Sequence, residues 1–201
     1  MDDKQLKFSK QVIDKYASGF SVHTAENYAI GFRNHIMKLY NLPEIQKQVI
    51  KWALLSKPER QEHIKELILW SLRYKINDVY NIKINFAENT EHPDTLGSAS
   101  KETGITIYDK LLESDNYEKV IDVISHETTH IFQFYDAKTT IYPEYVSACA
   151  QYYIPPKIDI NYYLKNPIER EAFTIGNKVS RNFINDMLAQ YYNTNYNQHT
   201  A

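Results

Sequence analysis

Apolar residues recur every three or four positions over most of the first 75 residues, a spacing typical of helices that bury one face. Pro43 ends one such run, and Ser56–Glu59 has the sequence of a capping box with an early proline. The apolar positions of the three main runs are Val12, Ile13, Tyr16 and Phe20; Tyr28, Phe32, Ile36 and Leu39; and Ile64, Leu67, Ile68 and Leu72. The pattern predicts a helical N-terminal region over 1–76, followed by a core region over 77–201 in the same compact unit.

The periodicity then changes to alternation between apolar and polar side chains. Residues 79–86 (VYNIKINF) alternate in this way, and residues 95–100 and 104–108 have the composition of two further short strands. Helical spacing returns after a predicted capping box at Asp115–Glu118, and a last long helix is expected to begin at Asn166–Pro167. We therefore predict an α+β fold in which a small antiparallel or mixed sheet lies between helices.

Composition and charge narrow the functional classes. The chain has 201 residues, of which 43% are hydrophobic and 24% charged, and its single cysteine, Cys149, cannot form an intrachain disulfide. The formal net charge of −2 provides no basic field, so neither nucleic acid nor an anionic membrane is expected as a partner. No apolar run approaches the length of a membrane span, and the polar start does not resemble a secretion signal. These features predict a protein that is cytoplasmic or is secreted by a signal-independent route.

One short motif carries recognisable chemistry: residues 126–130 read HETTH, an HExxH pattern within a predicted helix. Residues four apart share a helix face, so the imidazoles of His126 and His130 can bind one tetrahedral Zn²⁺. Glu127 lies about 100° further round the helix, where its carboxylate flanks the metal and can act as a general base. The other five histidines occur singly and are expected at the surface: His23, His35, His63, His92 and His199.

The segment Asn166–Phe173 (NPIEREAF) suggests a third ligand. Here the chain resembles the glutamate zincins, such as thermolysin, in which a second helix offers a glutamate to zinc in an ExxA or ExxS setting. The resemblance spans roughly residues 95–175 and implies a zincin-like fold, hydrolysis of peptide bonds, and Glu169 as the third zinc ligand. The chain departs from the thermolysin type in two ways: Glu169 lies 39 positions after His130, and Phe173 follows the alanine where an Asp or Asn is common.

Two other residues compete with Glu169 as the third ligand. Asn166 and Glu169 have the spacing of a capping box, and if Glu169 only caps its helix, Glu171 would be the ligand. Asp136 has the spacing of the third ligand in a metzincin variant, although Gln133 occupies the position where that variant has a glycine. The sequence leaves these three alternatives open.

Two further features of a peptidase would lie outside the motif. Zincins usually offer the edge of a strand beside the motif helix to the substrate backbone, and residues 95–108 are the best match in this chain. Gly97 and the small residues after it suit the close approach of a peptide. A hydroxyl donor for the oxyanion is expected among Tyr142, Tyr145, Tyr162 and Tyr163.

The leading hypothesis is therefore a zinc-dependent metalloendopeptidase that acts on a protein or peptide, as a regulatory protease or a secreted effector. The alternative is a catalytically inactive zincin-fold binding module, although the presence of Glu127 argues against it. A third hypothesis is a helical interaction protein in which the HExxH pattern is accidental. The metal content of the protein and the effect of substituting Glu127 separate the three.

Overall fold

The computed structural model describes residues 1–18, 20–89, 94–135, 141 and 143–199. Most of them are helical, with a short 3₁₀ turn at Trp52–Leu54. The α-helices are α1 (Asp3–Ala17), α2 (Val22–Tyr40), α3 (Pro43–Ile50), α4 (Lys57–Leu72), α5 (Asp109–Leu112), α6 (Tyr117–Phe134), α7 (Pro143–Gln151), α8 (Ile160–Lys165) and α9 (Pro167–His199). The strands are β1 (Ile84–Ala87), β2 (Gly97–Ser100) and β3 (Gly104–Tyr108). The predicted α+β class is confirmed.

Side-chain caps explain where two of the central helices begin. The backbone N–H of Ser56 donates to Glu59 Oε2 at 2.7 Å, so the capping box predicted at the start of α4 is confirmed. The box predicted at Asp115–Glu118 is wrong. Asn116 caps α6 instead, because its Oδ1 accepts a hydrogen bond from the backbone N–H of Lys119 at 3.1 Å.

The three strands form one mixed sheet in the order β1–β3–β2, with β1 parallel and β2 antiparallel to β3. The strand predicted over 79–86 begins only at β1, because Asp78 accepts a hydrogen bond from Asn81 Nδ2 at 2.8 Å and holds a turn there. Gly104 starts β3 with a φ of 74°, and a Cβ at this position would lie 2.1 Å from the carbonyl oxygen of Lys83. Within the described part of the chain, β2 is an edge strand that packs against α6.

A buried apolar cluster joins the N-terminal helices to the sheet and to the last long helix. Residues from α2, β3, α6 and α9 that are fully buried in it include Phe32, Ile36, Ile105, Phe132 and Phe183. α9 packs along both α6 and α2, so residues from the two predicted regions share one core. No described helix combines the length and the apolarity needed to cross a membrane.

A hydrogen-bonded network of Tyr40, Gln48, His63 and Tyr117, here called the His63 network, extends from the core near the start of α6 to the exposed residue Gln48. His63 Nε2 lies 2.6 Å from the Tyr117 hydroxyl, and His63 Nδ1 lies 2.8 Å from Gln48 Oε1. The Tyr117 hydroxyl also hydrogen-bonds the Tyr40 hydroxyl. Burial lowers the pKa of His63 to about 4, so its ring is neutral. The prediction that His63 is a surface residue is wrong, because its side chain is only 4% exposed.

Candidate functional site

α6 carries the two histidines of the HExxH motif on one face. His126 and His130 are one helical turn apart, and their Nε2 atoms are 3.0 Å apart. The Nε2 atoms of both rings face the same space, because positions i and i+4 lie on the same side of a helix. His126 packs edge-on against Phe173, and His130 stacks on Phe134. The aromatic contacts therefore hold both rings in place.

α9 brings the carboxylate of Glu169 to the same space. Glu169 Oε2 lies 3.5 Å from His126 Nε2 and 3.6 Å from His130 Nε2. Small residues on α9 allow this approach: Ala172 is fully buried, and a Cβ on Gly176 would lie 2.9 Å from a backbone oxygen of α6. Ala172 belongs to the ExxA pattern in the sequence, whereas Gly176 was not predicted, although a spacing of four places both on one helix face.

The dimensions of this His–His–Glu cluster (His126, His130 and Glu169) fit a metal ion. The three facing ligand atoms are separated by 3.0, 3.5 and 3.6 Å. Atoms bound at 2.0–2.1 Å to a tetrahedral ion would be about 3.3 Å apart, which lies within that range. Glu169 Oε2 is buried and has no hydrogen-bond partner among the described residues. Two imidazoles and a carboxylate in this arrangement could hold a divalent cation such as zinc.

The cluster couples buried groups of opposite charge. Burial alone would lower the pKa of His130, but the carboxylates of Glu169 and Glu127 outweigh it and raise this pKa to about 9. Burial would raise the pKa of Glu169, yet the imidazoles of His130 and His126 hold it well below its usual value. The site therefore favours a positive charge between these side chains, which protons or a metal cation can supply.

Glu127 lies beside the cluster, on the side of α6 that faces β2. Its side chain is buried, and burial raises the pKa of its carboxyl. A Cβ on Gly97 of β2 would lie 3.0 Å from Glu127 Cγ and 3.2 Å from Glu127 Oε1. Glycine at this position therefore leaves the space that the carboxylate needs next to the strand.

The rivals for the third ligand are placed differently from Glu169. Glu171 is fully buried, and its Oε2 accepts a hydrogen bond from Gln133 Nε2 at 2.8 Å, outside the His–His–Glu cluster. Asn166 Oδ1 accepts a hydrogen bond at 3.1 Å from the backbone two residues later, while the Glu169 carboxylate faces the histidines. Asp136 lies outside the described residues. Among the carboxylates that the structure describes, Glu169 is the one grouped with both histidines.

A cleft of about 800 Å³ opens over the cluster. β2 contributes small residues to its lining, among them Gly97, Ser98 and Ala99. The segment after α7 contributes bulkier ones, Tyr153, Pro155 and Pro156. The cleft therefore combines a strand edge with small side chains and a surface rich in aromatic and proline side chains.

The four tyrosines considered as oxyanion donors do not share one location. Tyr163 lines the cleft. Tyr162 and Tyr145 instead contact α1, the first through a hydrogen bond and the second through its ring. Tyr142 lies outside the described residues. Of the three that the structure describes, Tyr163 is therefore the one that is placed for a role in the cleft.

A second cleft tyrosine, Tyr153, was not predicted from the sequence. This residue lies in a loop after α7, where no periodicity marks it. Burial and the negative charge of Glu169 raise the pKa of both Tyr153 and Tyr163. Both hydroxyls therefore keep their protons and can donate hydrogen bonds inside the cleft.

The chain has no significant match to any protein-family model, curated protein or solved structure. Membership of a family is therefore not shown, and the resemblance to the glutamate zincins rests on the HExxH motif and Glu169. The geometry of the cluster and its cleft is the basis for assigning a function.

Proposed function

We propose that this protein is a zinc-dependent metallopeptidase of the zincin type. One observation carries the proposal: His126, His130 and Glu169 converge beneath an open cleft, with Glu127 beside them. Structural zinc sites have four protein ligands, whereas catalytic sites have three and keep a position open for water or substrate. Three converging ligands in a cleft therefore favour a catalytic site.

Each polar group around the cluster has a role in peptide hydrolysis. A zinc ion held there would supply a Lewis acid and lower the pKa of water in the open position. Glu127 is placed to accept a proton from the attacking water and to return it to the leaving amine. Burial raises its pKa, which makes the carboxylate a stronger base than an exposed glutamate. Tyr153 and Tyr163 line the cleft, and their hydroxyls are the candidate donors to the oxyanion.

We assign substrate binding to β2. This strand is at the edge of the sheet in the described part of the chain, and it lines the cleft beside Glu127. An extended peptide could add to the edge through main-chain hydrogen bonds, and the small side chains of 97–99 would let its backbone approach. Because such pairing uses the backbone, side-chain preference would come from the bulkier residues near Tyr153. The expected substrate is therefore a protein or peptide segment in an extended conformation.

The substitution Glu127→Gln tests the proposal, because it removes the base and keeps all three metal ligands. We expect cleavage of a mixed peptide library to fall by at least about 100-fold. Zinc bound per chain should stay unchanged. Mass spectrometry of newly formed N-termini and metal analysis of the purified protein measure the two quantities. Glu118→Gln, at an exposed position of the same helix, is the matched control and should keep full activity.

Cleavage that persists unchanged in Glu127→Gln would contradict the assignment of the general base. A wild-type protein that binds zinc but cleaves no peptide would favour the inactive zincin-fold binding module. A wild-type protein that takes up no zinc would leave the helical interaction protein as the remaining hypothesis.

A further inference from the structure

Gln133 lies between the His–His–Glu cluster and a second buried carboxylate. It follows His130 by one turn of α6, and its Oε1 lies 2.8 Å from His130 Nδ1. Its Nε2 lies 2.8 Å from Glu171 Oε2 and 3.1 Å from the backbone oxygen of Ile168. Gln133 is 2% exposed and Glu171 is fully buried. A line of hydrogen bonds therefore runs through the interior from His130 to Glu171.

The partners of Gln133 fix the orientation of its side-chain amide. One end lies within hydrogen-bonding distance of two acceptors, the Glu171 carboxylate and a backbone carbonyl, so this end must be the NH₂ group with its two donors. The other end is then the carbonyl oxygen, which can only accept. His130 Nδ1 must therefore carry a hydrogen, which leaves Nε2 as the nitrogen that can bind a metal.

The same amide also bonds the helix that carries the third ligand. Ile168 immediately precedes Glu169 in the first turn of α9, and Glu171 follows it by two residues. Gln133 thus bonds His130 on α6 and, on α9, Ile168 just before Glu169 and Glu171 two residues after it. Loss of this side chain would disturb ligands on both helices at once.

We propose that Gln133 and Glu171 are positioning residues, which orient His130 and hold the start of α9 so that the cluster is preformed for metal. The inference rests on the metal site of the proposed function, but concerns two residues that are not members of the cluster. Partners of this kind typically change metal affinity by about 10–100-fold. Burying the carboxylate of Glu171 is costly, and its hydrogen bond to Gln133 offsets part of that cost.

Substitutions at both ends of the line test the proposal. Gln133→Leu removes the acceptor and the donors, and Glu171→Leu removes the far acceptor. Each should weaken zinc binding by about 10–100-fold, measured by competition with a chelator of known affinity. Glu171→Gln keeps an acceptor for Gln133 and should hold the affinity within about threefold of the wild type. Thr129→Val removes another buried hydrogen-bonding side chain of α6 and is the control, with unchanged affinity.

The double variant Gln133→Leu/Glu171→Leu shows whether the two residues act along one path. If Glu171 acts through Gln133, the double variant should bind zinc no more weakly than the weaker single variant. If the double variant instead shows the product of the two single losses of zinc affinity, the proposal is overturned. A folded Gln133→Leu protein with an affinity within about twofold of the wild type would overturn it as well.

A second readout needs neither metal nor catalysis. The Nδ1 proton of His130 should give a downfield, slowly exchanging NMR resonance in the metal-free wild type, and Gln133→Leu should lose it. Gln133→Asn, which is polar but one methylene shorter, should also lose it, and keeps the test possible if the leucine variant does not fold. A wild type without this resonance would overturn the proposal. Intact resonance and zinc affinity without peptide cleavage would count against the peptidase function alone.

Discussion

Two buried histidine sites lie along α6, and their surroundings differ in kind. In the His63 network, both ring nitrogens of His63 have neutral partners, a hydroxyl and an amide oxygen. In the His–His–Glu cluster, the facing nitrogens meet a carboxylate oxygen that has no hydrogen-bond partner in the described part of the chain. His63 is 4% exposed and lies in the core, whereas the cluster lines a cleft. The first site pairs its polar atoms within the protein, whereas the second groups three ligand-type atoms that could hold a cation.

The pKa values of the two sites move in opposite directions. Burial lowers the pKa of His63 to about 4. Burial acts on His130 too, but the carboxylates of Glu169 and Glu127 raise its pKa to about 9. Burial by itself therefore does not identify a functional histidine. The charge that the surrounding side chains favour is a better guide to function. Of these two sites, only the His–His–Glu cluster favours a cation.

The largest expected effect comes from removing a cluster histidine. His130→Ala deletes a proposed ligand, so zinc affinity should fall by more than about 100-fold, beyond the effect of an outer partner, and cleavage should fall with it. His63→Ala should leave both unchanged. It should lower the unfolding free energy by about 2–4 kcal/mol, because it leaves a cavity and unpaired polar groups. Chelator competition measures the zinc affinity, and denaturant titration measures the unfolding free energy. Loss of zinc binding in His63→Ala would contradict the distinction between the His63 network and the His–His–Glu cluster.

Zinc itself should stabilise the protein through the cluster alone. Free zinc at about 1,000 times Kd should raise the unfolding free energy by roughly 4 kcal/mol, because the ligands converge only in the folded state. For a chain of this size, the melting temperature should rise by roughly 8–16 °C. His63→Gln should keep this increase and Glu169→Gln should lose it. Calorimetry with zinc and with chelator makes the measurement, and an equal shift in both variants would show that zinc binds elsewhere.

Mild acid should destabilise the protein through the His63 network. The folded-state pKa of His63, about 4, lies below the ordinary value of 6.5, so the unfolded chain binds more protons between these pH values. The stabilisation that neutral His63 provides is fully present above pH 6.5. It is lost as the pH falls to about 4, which lowers the unfolding free energy by roughly 3 kcal/mol. His63→Gln should flatten the dependence of stability on pH across this window. Denaturant titrations of metal-free protein test this, and an unchanged slope would contradict it.

The smallest effect is expected at the contact between β2 and Glu127, the proposed general base. Gly97→Ala places a methyl group 3.0 Å from Glu127 Cγ, so the carboxylate must shift by a few tenths of an ångström. We expect kcat/KM to fall by about 10-fold, with zinc affinity unchanged. Lys101→Ala, at an exposed position of the turn after β2, is the control. Steady-state kinetics with one cleaved peptide decide the matter, and loss of zinc in Gly97→Ala would instead place Gly97 next to the metal ligands.

Features that depend on local spacing could be predicted from the sequence. The face shared by His126 and His130 follows from the geometry of any helix, and the α+β class follows from the change in periodicity before β1. Resemblance pointed to Glu169, and the structure places its carboxylate beside both imidazoles. The role of the three residues as metal ligands stays a prediction until zinc binding is measured.

Features that depend on how distant segments meet could not be predicted. Gln133 bonds a carboxylate 38 positions away, and no local pattern marks that pairing. The burial of His63 depends on Tyr117, which is 54 positions away. The late start of β1 has a local cause, since the Asp78 side chain competes with strand pairing, but alternation of apolar residues conceals it.

The position of α9 along the chain has a consequence for biosynthesis. A ribosome-bound chain displays His126 and His130 before Glu169, which lies 39 positions later, has been translated. α9 must then dock across α2 and α6 before the carboxylate reaches the two imidazoles. Metal capture would therefore wait for the joining of early and late parts of the polypeptide. Under the proposed function, peptidase activity would therefore not precede the folding of α9 onto α2 and α6.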